Sequence, residues 1–139
     1  MDPVVVMAGT ALVGAIVTDA YQHVRGAAAA LWRRGDPEQA AAVERDLDET
    51  RARVLAARAD GDRETEEAIV GGWRLRLQDL VRQDPAAAQE LQLVLDEELL
   101  PVLDAADRDR ARSVDLRATA SGNARVYQAG RDIRGAGGR

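Results

Sequence analysis

The apolar positions of this chain fall into three regimes. From Val4 to Thr18 fifteen residues run without a charge. As far as Leu103, apolar residues then recur at alternating spacings of three and four, the period of a helix with one buried face. From Val114 the period drops to two. The first run predicts an apolar helix that continues to Gly35, with Thr18, Asp19, Gln22 and His23 forming a polar stripe along its second half. Asp36-Pro37 opens a second helix, Asp36 as N-cap and Pro37 at the first helical position, with Gln39 completing a capping-box arrangement. Its core stripe is Ala40, Val43, Leu47, Thr50, Val54 and Ala57. Gly61 ends it and Asp62 caps a third helix, which buries Ile69, Val70, Trp73, Leu77, Leu80 and Val81. Gly71-Gly72 inside that helix is disfavoured by about 1 kcal/mol per residue against Ala, and predicts a close crossing or a kink. Asp84-Pro85 starts a fourth helix carrying Leu91, Val94, Leu95, Leu99, Val102 and Leu103, which Pro101 must kink or break. The alternating Asp/Arg run from Asp104 to Arg112 reads as an extension of that helix into solvent.

The fold class expected is therefore all-α, a four-helix bundle with an apolar N-terminal helix and a flexible, β-prone C-terminal tail. The domain division is 1–110 for the bundle and 111–139 for the linker and tail. Composition supports helices: 46% of residues are hydrophobic but only 3% aromatic, and Phe is absent. A core of Ala, Leu and Val suits close helix packing.

The N-terminal run has two readings. Met1-Asp2-Pro3 lacks the positive flank of a signal peptide, so none is expected. Fifteen helical residues reach about 22 Å, short of a hydrocarbon core about 30 Å thick. Small residues recur every four positions (Thr10, Gly14, Thr18, and beside them Ala11, Ala15), which lets helices approach closely in a core or in a membrane. At rest, burial in the bundle is the expectation.

Charge changes the picture at the C-terminus. Residues 1–109 hold 22 acidic side chains and 12 arginines, whereas residues 110–139 hold two acids and seven arginines. An acidic body is not that of a nucleic-acid-binding domain, and no nucleic-acid partner is expected. Every one of the 19 basic residues is Arg.

The segment Asn123-Ala124-Arg125-Val126-Tyr127-Gln128-Ala129-Gly130-Arg131-Asp132-Ile133 alternates side chains and contains no proline. Short segments of this kind stack into cross-β, with Asn and Gln side chains forming ladders. Tyr127-Gln128-Ala129-Gly130 resembles the hydrophobic-Gln-hydrophobic-Gly core of the RIP homotypic interaction motif, with Ala129 in place of the bulkier aliphatic residue usual there. The whole eleven-residue string is similar to the bacterial amyloid signalling motifs found at the C-termini of Bell domains, small helical analogues of the fungal HeLo and HeLo-like cell-death effectors. That resemblance implies a bacterial protein of programmed cell death, innate immunity or antiphage defence. It implies self-assembly through the tail, and templating by an NLR-like sensor with a matching motif.

No enzymatic chemistry is legible. With one His and no Cys, a Cys/His zinc site is excluded. A phosphate-binding loop is absent, and neither catalytic residues, metal nor cofactor are expected. Acidic clusters such as Glu64-Glu66-Glu67 and Asp96-Glu97-Glu98 read as solvated helix faces. The expectation for function is an effector that is cytoplasmic at rest and acts at the inner face of the cell membrane once assembled. There the N-terminal helix would enter lipid and permeabilise it, through Val4, Val5, Val6, Leu12, Val13, Ile16, Val17 and Asp19. The alternative is a non-lytic helical adaptor that polymerises through the tail to recruit other proteins. A plain helical protein whose tail has no amyloid property is the third reading.

Overall fold

The computed structural model describes residues 1–113. They form six α-helices: α1 (Pro3–Ala15), α2 (Tyr21–Arg33), α3 (Pro37–Ala59), α4 (Arg63–Gln83), α5 (Ala87–Val94) and α6 (105–113). The four-helix expectation is thus corrected to six, and each extra break has an identifiable cause.

The first break divides the apolar N-terminal helix. Asp2 caps α1 through the amide of Val4 at 3.1 Å, with Pro3 at the start. At the other end the carbonyls that a continuing helix would use are taken by side chains. Thr18 Oγ1 donates to the Ala15 carbonyl at 2.7 Å, and Arg51 Nε from α3 donates to that of Ile16 at 2.9 Å. Thr18 Oγ1 also accepts the amide of Ala20 at 3.2 Å. The chain therefore turns over 16–20 and restarts as α2.

The second break follows from Pro101. Its missing N–H leaves the carbonyl four residues earlier without a donor. The chain responds by widening α5 into a π turn over Leu95–Leu99, in which the amide of Leu100 reaches the Leu95 carbonyl, then tightening into a 3-10 turn over Leu100–Val102. Leu103 is extended. Asp104 then caps a new helix, accepting the amide of Asp107 at 2.8 Å. The Asp/Arg run is therefore not a solvated extension of the preceding helix. It is the separate helix α6, and it folds back onto the bundle.

α1 lies at the centre, packed against α4, α5, the π turn and α2, while α2 packs on α3. All residues from Ala8 to Ile16 are buried. A helix apolar on every side is satisfied only when it is enclosed on every side, and here the other helices enclose it. α3 and α4 form an antiparallel hairpin closed at Gly61, whose φ of 68° is a left-handed value that glycine adopts without strain. Across the hairpin Trp73 Nε1 donates to Thr50 Oγ1 at 3.2 Å, and Arg76 bonds Asp46 at 2.8 Å.

Candidate functional site

The motif residues Asn123–Ile133 lie outside the described residues, as does the linker from residue 114 onward, whereas 111–113 of the expected linker belong to α6. The candidate membrane helix lies within the described residues. Val5 and Ile16 are 0% exposed, Val13 1% and Leu12 2%. Val4, Val6 and Val17 are half-buried, and Asp19 is exposed in the turn after α1. α1 spans 13 residues, about 20 Å of helix. No helix among the described residues is long and apolar enough to cross a membrane. The expectation of direct permeabilisation by this segment is corrected accordingly: its apolar surface is the centre of the core.

Polar bonds fix α1 as well. Arg74 of α4 lies across it, Nε donating to the Val6 carbonyl at 3.1 Å and Nη2 to Thr10 Oγ1 at 2.7 Å. Gly9 makes room for this: a Cβ there would stand 2.5 Å from Arg74 Cγ. Asp2 donates its amide to Gln78 Oε1 at 3.2 Å. Thr10, one of the small residues spaced by four, thus takes part in a side-chain crossing inside the bundle.

The junction between bundle and tail is a charge cluster. Arg58 near the end of α3 grips Glu66 of α4 through Nε at 3.1 Å and Nη2 at 2.9 Å. It also grips Asp107 of α6 through Nη1 at 3.2 Å and Nη2 at 3.1 Å. Arg110 adds a bond to Asp107 at 2.9 Å. The bonds to Glu66, and then those to Asp107, raise the Arg58 pKa above its ordinary value against the opposing effect of burial. Asp107 is itself buried, 7% exposed, and faces Gly14 of α1, where a Cβ would meet Asp107 Cγ at 3.3 Å. Leu103, Asp107 and Ala111 form a buried row spaced by four. The sequence reading missed this row because its middle position is an acid. The signals that mark it are the Asp104 cap and the four-residue spacing.

A second cluster ties α2 to α3. Tyr21 donates its hydroxyl to Asp48, and Arg25 forks onto the same carboxylate at 2.9 and 3.1 Å. Arg51 stands over the Tyr21 ring, 5.1 Å from its centre. Burial, followed by the bond to Asp48, pushes the Tyr21 pKa up to about 12. Arg25, then Tyr21, holds the Asp48 carboxyl below its usual range. These groups satisfy one another. His23 pairs with Glu98 across the α2–π turn contact. No cluster of three or more His, Asp or Glu able to hold a metal occurs among the described residues.

Gly71-Gly72 departs from expectation. Neither marks a crossing: a Cβ at either position would meet nothing within 4 Å. Gly72 borders an open groove of about 510 Å³ between α3 and α4, floored by Thr50, Ile69 and Trp73.

Comparison of the chain with protein-family models, with curated proteins and with solved structures finds no match.

Proposed function

We propose that this chain is a non-lytic helical adaptor: a bundle that presents its outer surface to other proteins while the C-terminal segment Asn123–Ile133 stacks with copies of itself. The observation that carries this reading is the placement of α1. The most apolar segment of the chain is enclosed by the rest of the bundle and bonded to α3 and α4 through Arg51 and Arg74. What the bundle offers a neighbour is therefore its polar and mixed outer face. The alternating, Gln-bearing tail supplies the means of assembly, and stacking raises the effective concentration of whatever the bundles hold. The resemblance of the tail to bacterial amyloid signalling motifs supports an NLR-like sensor with a matching motif as the upstream partner. It equally supports a cytoplasmic role in regulated cell death, without chemistry of the chain's own.

The test is assembly of the full chain beside dye-loaded liposomes. The parent should form β-rich fibres and leave the dye enclosed. Gln128→Pro should stay dispersed, because proline removes a ladder donor from every layer. A parent chain that never forms fibres would leave a plain helical protein. Fibres that release the dye would contradict the adaptor reading.

A further inference from the structure

The α3–α4 face carries a pattern that nothing else in the described bundle uses. Ala68, Gly72, Leu75 and Asp79 lie along one exposed stripe of α4, and Leu75 is 61% exposed. Beside the stripe runs the α3–α4 groove, whose α3 wall carries Glu49 and Arg53. Both are exposed, one helical turn apart, and neither makes an ion pair among the described residues. The register of the hairpin is set by Thr50–Trp73, Asp46–Arg76 and Arg58–Glu66. It puts Gly72 level with Arg51, midway between Glu49 and Arg53.

We infer that this face pairs with the same face of a second copy of the chain, about a two-fold axis that crosses both helices at the level of Gly72. A two-fold contact brings each residue to a position reflected through its centre. About this centre Glu49 meets the second copy's Arg53, and Arg53 its Glu49, so two unpaired charges of opposite sign find each other twice. On α4 the two Gly72 positions face each other, where the missing side chains let the backbones approach. Leu75 then lies over the shallow surface left by Ala68 and Gly72 of the other copy, a knob over a matching depression. Charge, shape and symmetry select the same occupant. A foreign helix would need to reproduce all three, whereas a second copy does so by construction. Gly72, disfavoured in an isolated helix, acquires a use in this contact.

The contact is small beside a standard interface, so pairing belongs to the weak class. On a stack of tails, where bundles are held at roughly millimolar effective concentration, weak pairing is enough to order neighbours. Only that use rests on the adaptor reading; the pairing itself does not. The experiment is therefore sedimentation equilibrium on the full chain carrying Gln128→Pro, which takes tail stacking out of the measurement. The expected result is a monomer–dimer equilibrium with Kd between about 10 µM and 1 mM. Glu49→Arg alone and Arg53→Glu alone should each weaken it about tenfold or more, by setting like charges opposite each other twice. The double exchange of Glu49→Arg with Arg53→Glu should restore the parent value to within about threefold. All three variants change exposed positions, and circular dichroism verifies that they fold. A chain that stays monomeric up to about 1 mM, a dimer indifferent to the single exchanges, or a double exchange that fails to restore pairing would each overturn the proposal.

Discussion

Trp73 concentrates much of what holds α3 and α4 together. Its indole is 4% exposed, donates to Thr50, and carries the Arg76 guanidinium 4.6 Å from its ring centre. Trp73→Ala should lower stability by about 3–5 kcal/mol, read from the denaturant midpoint, because it opens a cavity and leaves the Thr50 hydroxyl without its donor. The glycines make a sharper residue-scale contrast. Gly9→Ala forces its methyl into Arg74 and should cost about 1–3 kcal/mol, whereas Gly71→Ala meets open space and should stabilise by up to about 1 kcal/mol. A thermal melt of each decides both. Tyr21 adds a pH dependence. Its folded pKa, about 12, lies above the ordinary value of 10.0, so the folded state holds the phenolic proton more tightly than the unfolded chain. The resulting stabilisation is complete below pH 10 and is lost as pH rises toward 12. Tyr21→Phe should flatten that part of a stability–pH profile, other groups being unchanged.

At the scale of elements, the sequence was most informative where a pattern had a single meaning. Asp36-Pro37 starts α3, Gly61 ends the turn after it, and the stripe Ala40, Val43, Leu47, Thr50, Val54 and Ala57 is buried along its whole length. It was least informative where tertiary bonds override local preference. Nothing local to Val4–Gly35 shows that Arg51, thirty-five residues from Ile16, takes the carbonyl that a continuous helix would use. The apolar period also cannot tell a helix enclosed by neighbours from one destined for lipid. Arg74, Gly9 and Gln78 settle that for α1, and only the folded arrangement brings them together. α6 escaped notice because its buried row contains Asp107, an acid that is stable there only between Arg58 and Arg110. Asp107→Asn should therefore cost about 3 kcal/mol, since it strips a buried charge from a paired network. It should also speed amide hydrogen exchange in 105–113 more than in α3. Equal acceleration throughout the bundle would mean that α6 does not open as a unit.

For the whole molecule, the bundle and the C-terminal segment differ in kind. Enclosure of α1 is a matter of packing, and assembly through Asn123–Ile133 is a matter of an alternating sequence that lies outside the described residues. The adaptor reading joins them by requiring that the tail stack while the bundle keeps its fold. Hydrogen exchange of the full chain, dispersed and then assembled, measures both at once. The amides of Ala8–Ile16 should be as protected in the fibre as in the dispersed chain, while those of Asn123–Ile133 gain protection. Loss of protection in Ala8–Ile16 on assembly would show that α1 leaves the core, and would contradict the account at its centre.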